Sequence, residues 1–269
     1  MRLSVRHTTL YEFAAPVRFV AQSHRLTPAS SGGQTVLDWQ VSAEGAVFGS
    51  AFVDGAGDAV STMTVQGPVE RIAVLVEGTV ETTDTTGVLR DHRETISPRV
   101  YLRPTRAIEL SRGLLELRDA ALARVAADRA LERAHRLAGA VADAIAYVPG
   151  ATHAHTTAGE ALEQGEGVCQ DLAHALIAVA HASGIPARYV TGYLFTGGDA
   201  GEAAHAWAEL NVGDLGWVGF DPANRCCPDA RYIRLGSGRD ARDAAPIRGV
   251  ARGGAAEAMD VSVLIDAQQ

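Results

Sequence analysis

The stretch "GEGVCQDLAHALIAVAHASGIPARYVTGYL", residues 165–194, decides the fold. It predicts a helix that begins at or near Cys169 and ends at Gly184, with Pro186 just beyond. Glycine closes a helix easily and proline cannot continue one. At about 100° per residue, Ala173, Leu176 and Ala180 share the side of Cys169, with Leu172 and Val179 close by. Cys169 therefore caps the buried face, and His174 and His181 fall together on a flank. A cysteine within such a helix is ordinarily core filler. Its place in the first turn changes that reading. Unpaired N–H groups and the positive end of the helix dipole favour a thiolate, the nucleophilic form. The flanking glycines leave room for backbone and substrate to come close.

Working outward, three strand candidates follow the helix: "ARYVTGYLF" (187–195), "AHAWAELNV" (204–212) and "GWVGFDP" (216–222). Glycine-rich turns separate them, which predicts consecutive antiparallel strands. Before the helix, Thr157 and Glu160 form a capping-box pattern for a short helix. Residues 128–148 predict a longer one, with Leu131, Ala134, Ala138, Val141, Ile145 and Val148 on one face and Asp128 as N-cap. The first hundred residues read instead as strands. "RIAVLVEGTV" (71–80) and "TVLDWQV" (35–41) alternate, and "DGAGD" (54–58) is a hairpin turn between "AVFGSAFV" and "AVSTMTV". The expected architecture is α+β: a β-rich, sandwich-like domain over residues 1–104, then a core over 105–269 in which the Cys169 helix packs on an antiparallel sheet.

Composition narrows the function. With 47% hydrophobic and 21% charged residues, the 269-residue chain can bury a sizeable core. The net charge is -8, which argues against a nucleic-acid or anionic-membrane surface, since either needs clustered positive charge. The chain contains no lysine, so its 24 basic residues are arginine, a pattern expected of high-GC coding. No signal-like N-terminus or membrane span is expected. Three cysteines, two of them adjacent (Cys226 and Cys227), fit a reduced and cytoplasmic setting.

A cysteine nucleophile needs a base and a group that orients the base. His205 begins the strand "HAWAEL", 36 residues after Cys169, and shares a face with Trp207 and Glu209. Asp221 ends the next strand after an apolar approach, and a buried carboxylate normally has a partner. Neighbouring antiparallel strands would place it beside His205. Each residue alone has a bland explanation; Cys169, His205 and Asp221 together make a far more specific pattern.

With these residues assembled, "GVCQDLAHALIAVAHASGIPARYVTGYL", "HAWAEL" and "GWVGFDPAN" resemble the bacterial transglutaminase-like family of papain-like cysteine enzymes. The β-rich start resembles the N-terminal region that accompanies this core. The tail "GRDARDAAPIRGVARGG" (238–254) is similar to the family's C-terminal segment. The resemblance implies that Cys169 is the nucleophile, His205 the general base and Asp221 the orienting carboxylate of an acyl transfer through a thioester. The substrate would be a peptide or protein carboxamide or peptide bond. Hydrolysis is favoured over transfer to an amine (cross-linking), because nothing points to a dry acceptor tunnel. A non-catalytic binding module is the other alternative. The Cys169 N–H is a candidate oxyanion donor, with Gln170 a second. Asp171, His174 and Trp207 are candidates to shape the cleft. Two positions depart from the family pattern: Tyr232 stands where a histidine is usual, and Ala241 where an aromatic is usual. No cofactor or metal is expected. His153 and His155, and the Cys226–Cys227 pair, lack zinc-ligand spacing, and no EF-hand-like loop is present.

Overall fold

In a computed structural model of the chain, residues 1–197, 204–253 and 256–268 are described. Gly254, the last residue of the "GRDARD" tail, lies outside them. The first part contributes four strands: β1 (Arg2–His24), β2 (Gln34–Ala43), β3 (Ala46–Val53) and β4 (Ala59–Thr82). Short 3-10 turns at Pro98–Leu102 and Arg106–Ile108 lead to α1 (Arg112–Leu122) and α2 (Ala130–Ala144). Then come β5 (Ala146–Tyr147), α3 (Ala158–Gln164), β6 (Glu166–Gly167) and α4 (Cys169–Ala182). The remaining strands are β7 (Ala187–Leu194), β8 (Ala204–Asn211), β9 (Trp217–Phe220), β10 (Tyr232–Gly238), β11 (Ile247–Arg252) and β12 (Glu257–Gln268).

The expected hairpin across residues 54–58 joins β3 to β4. The stretch 71–80 is not a separate strand; it continues β4, which runs antiparallel to β1 along most of its length. Both long strands exchange partners partway. β1 pairs with β12 through Arg2–Phe13 and with β11 through Phe19–His24. β4 pairs with β3 at one end and β2 at the other. Register breaks between Glu12 and Phe19 mark the change in β1, since a bulge bends a strand. Val20, Met63 and Val65 from one half share a single core with Val74, Val76 and Trp39 from the other. One bent sheet thus packs against itself as a sandwich does.

β11 and β12 belong to this sheet, although they come from the segment assigned by sequence to the core. The strands that flank the chain's start come from its end. No single cut near residue 104 separates the two sheets.

The second sheet is antiparallel, in the order β10-β7-β8-β9, so the predicted meander is present with β10 added beside β7. α4 packs on it through Ala206, Ala208 and Leu210, while Trp207 and Glu209 lie on the opposite face by strand alternation. α1, α2 and α3 cover the helix from the other side. Residues Asp171–Ala180 are consequently all buried. His174 lies on a flank by helical count, and that flank too is enclosed. A helix apolar nearly all round is an interior helix.

α2 starts at Ala130, with Arg129 and not Asp128 at the N-cap, and it ends before Ile145, whose backbone is extended. Leu131 and Val148 are therefore more exposed than a continuous helical face predicts. α1 was not expected at all; Ser111 caps it by accepting from the Leu114 N–H at 3.3 Å.

Candidate active site

The quoted stretch carries its own support. Thr157 and Glu160 close the capping box of α3, with both reciprocal bonds present. Gly165 ends that helix at φ 72°, a left-handed conformation that glycine adopts without strain. The two-residue pairing of β5 with β6 then holds the approach to Cys169, where the Val148 N–H donates to the Gly167 carbonyl at 2.8 Å. A Cβ on Gly167 would lie 2.9 Å from Asp171 Cβ. The glycines expected to admit substrate thus serve the protein's own packing: one turns the chain and the other makes room for Asp171.

Asp171 is fully buried, and its Oδ2 accepts from the Val168 N–H at 2.9 Å and from the Thr152 hydroxyl. Burial raises its carboxyl above the usual range. Asp171 ties down the loop before the nucleophile and has no face to offer a substrate. Gln170 sends its side-chain amide to the Ala154 carbonyl at 3.4 Å. The first-turn N–H groups of Cys169 and Gln170 have no intrahelical partners and face the helix N-terminus.

Cys169, at the start of α4, is half-buried. His205, second residue of β8, stands between Asp221 and Cys169. Its Nε2 lies 2.7 Å from Asp221 Oδ2 and 3.3 Å from Asn224 Nδ2, and the Cys169 thiol is within interaction reach of the same ring. With Nε2 committed to Asp221, Nδ1 is the nitrogen left for the thiol. The ring stacks on Trp207, with centroids 6.4 Å apart and planes at 24°. Trp207 is buried, so it fixes the imidazole from beneath. The structure therefore brings Cys169, His205 and Asp221 together in series.

Asp221 follows β9 immediately and is itself buried. Its Oδ2 accepts from His205, from Asn224 Nδ2 at 2.8 Å and from the Tyr232 hydroxyl at 2.8 Å, while Oδ1 accepts from the Asn224 N–H at 3.2 Å. Burial disfavours its charge, but the bonds from His205, Asn224 and Tyr232 outweigh burial and hold the carboxyl below its usual range. Burial likewise disfavours the imidazolium, yet the bonds to Asp221 and Cys169 and their negative charges raise His205 to about 9.

Asn224 and Tyr232 are the functional positions that sequence reasoning missed. Asn224 sits three residues after Asp221, the reach of an Asx turn, which is a usable local signal. Tyr232 was visible only as a departure from the family pattern. Its phenol is raised well above the usual range by burial and by the Asp221 charge, so it remains a donor. Cys226 Sγ lies 3.3 Å from the same hydroxyl.

His174 is buried, and its Nε2 accepts from the Ala241 N–H at 3.0 Å. That bond anchors the tail segment to α4, and Ala241 takes part through its backbone. Burial lowers His174 to about 4, so the ring is neutral.

The transglutaminase-like superfamily profile matches residues 119–222, and that of the bacterial transglutaminase-like N-terminal region matches residues 3–81. An uncharacterized protein of Mycobacterium leprae is 31% identical over 285 residues, covering 98% of each chain. An uncharacterized protein of Mycobacterium tuberculosis is 42% identical over 115 residues, which is 39% of this chain and 37% of the relative. Among solved structures, a Cytophaga hutchinsonii protein described as a candidate cysteine protease has a TM-score of 0.74 at 22% identity, covering 100% of this chain and 92% of its own. That likeness is one of fold. The chain belongs to the transglutaminase-like superfamily, with the bacterial N-terminal region and a papain-like core.

Proposed function

We propose that the protein catalyses acyl transfer from peptide or carboxamide bonds through a thioester on Cys169, resolved by water. One observation carries the reading: the His205 ring is bonded to buried Asp221 at 2.7 Å and has the Cys169 thiol within reach. An imidazole held in that way takes a proton from the thiol and keeps it in the orientation needed to give it up again.

Cys169 Sγ attacks the carbonyl carbon, and the C–N bond breaks as His205 passes its proton to the leaving amine. Water then attacks the thioester while His205 takes the water's proton, and the free acid leaves with the thiol restored. The Cys169 N–H at the helix start supports the oxyanion in both steps. Asp221, held by Asn224 and Tyr232, keeps the imidazolium oriented throughout.

The test is mass spectrometry of model peptides incubated with the protein, with and without an added primary amine. Free acid as the main product in both cases, lost in Cys169→Ala, supports the proposal. An amine adduct as the main product replaces hydrolysis with amine transfer, and no product under any condition counts against acyl transfer altogether.

A further inference from the structure

A cavity of about 610 Å³ lies over one flank of α4, at His174, within the range of about 300–1,000 Å³ that takes small-molecule-sized groups. Its wall comes from the 3-10 turn at Arg106, the loop around Ala154, His174 of α4, the segment from Arg239 to Asp243, and Arg248 of β11. Four arginines line it, Arg106, Arg239, Arg242 and Arg248, against the two aspartates Asp240 and Asp243. In a chain of net charge -8, this wall carries the opposite sign.

The cations are not used up internally. Asp243 is shared between Arg239 at 3.1 Å and Arg248 at 3.9 Å. Arg106 and Arg242 are exposed and form no salt bridge among the described residues. A guanidinium is a planar fork that matches a carboxylate, and two exposed forks outside any salt bridge on one wall favour an anion.

His174 supplies an independent sign. It lines the cavity, is 1% exposed, and its buried Nδ1 has no partner. Because Nε2 accepts from Ala241, the neutral ring carries its hydrogen on Nδ1. That is a buried donor lacking an acceptor, which ordinarily costs stability.

The cavity reaches toward the start of α4. Ala154, in its wall, accepts the side-chain bond of Gln170, the neighbour of Cys169. His174, in the cavity wall, lies on α4 five residues after Cys169, with its ring centre 5.1 Å from that of buried Tyr189.

We infer that this cavity is a carboxylate subsite and that the acyl donor is an acidic peptide, seated by Arg106 and Arg242 while its amide lies at Cys169. The inference rests on the acyl-transfer reading for the identity of the reacting bond, but carboxylate binding is measurable without chemistry.

The test uses the full-length Cys169→Ser protein and two fluorescein-labelled peptides, one rich in glutamate and one its glutamine isostere, read by fluorescence anisotropy. The glutamate peptide is expected to bind at least about tenfold tighter. The preference should shrink in high salt and vanish in Arg106→Gln/Arg242→Gln, whose exposed positions leave the melting temperature unchanged. In the wild type, the same peptide should slow alkylation of Cys169 by iodoacetamide. Equal binding of the two peptides overturns the inference. So does a preference that survives the double substitution, or a bound peptide that leaves alkylation unchanged. If instead binding and protection are found but alkylation does not depend on His205, the carboxylate subsite stands and the acyl-transfer reading falls.

Discussion

His205 and Glu209 lie four residues apart on β8, and each anchors a cluster of buried charge. Around Glu209, Arg188 donates at 2.7 Å and Arg234 at 2.9 Å; Arg234 also donates to Asp58 at 2.6 Å, and Arg188 to Glu94 at 2.7 Å. Asp58 further accepts from the Ser237 N–H and hydroxyl, Glu94 accepts from Trp217 Nε1 at 2.6 Å, and the Arg188 guanidinium lies 4.1 Å from the Trp217 ring centre. Arg188 and Asp58 are wholly buried. This cluster joins segments 58 and 94, from the N-terminal part, to β7, β8 and β10. Around His205 the charges are as well buried, but the series ends on half-buried Cys169, beyond which no hydrogen-bond partner stands among the described residues. Buried charge alone therefore does not mark a reactive site. A closed cluster ties elements together, whereas one left open at a nucleophile has a proton to move.

Substitutions should separate the two clusters cleanly. The largest effect is expected at the open one: Cys169→Ala should reduce peptide turnover by at least about 10³-fold while the thermal midpoint barely moves. Next, Asp221→Asn should lower turnover by about 10²–10⁴-fold and change its pH profile. Asp221 and Cys169 hold the His205 pKa at about 9, above the ordinary 6.5. Stabilisation from this charged imidazole is thus complete below about pH 6.5 and is lost as pH rises through about 9. The wild-type alkaline limb is expected near 9, and in Asp221→Asn it should move down toward 6.5; an unmoved limb breaks the assignment.

At the closed cluster, Asp58→Ala leaves Arg234 short of a partner and should cost about 3–5 kcal/mol, on the order of 10 °C in thermal midpoint, without altering the pH profile of the remaining activity. A stable Asp58→Ala protein with altered chemistry would undo the contrast. The smallest effect belongs to Tyr232→Phe. It removes one of three donors to Asp221 Oδ2 and should cost about 1.5–3 kcal/mol in chemical denaturation.

Much of the second sheet and its helix was legible from local pattern. Cys169 at a helix start, the antiparallel run of β7, β8 and β9, and the Thr157–Glu160 box all carry their signals within a few residues. His205 and Asp221 were legible because parity and strand order bring them together. The return of β11 and β12 to β1 had no local signature, since pairing of residues 2–13 with 257–268 is decided by the tertiary fold. Helical counting put His174 on a flank but could not say what covers that flank. α1 was overlooked although Ser111 and the Leu114, Leu117 and Ala121 spacing offered a signal. The ion cluster was invisible because its members come from five distant segments.

The central claim is that His205 activates Cys169, and the molecule contains its own controls. Burial raises the thiols of Cys226 and Cys227 above the usual range. The direct measurement is site-resolved iodoacetamide labelling near pH 6, read by mass spectrometry in the wild type and in His205→Ala. Cys169 is predicted to label much faster than Cys226 and Cys227, and to lose that advantage in the variant. Labelling of Cys169 no faster than the other two, or unchanged by the loss of His205, would contradict the account.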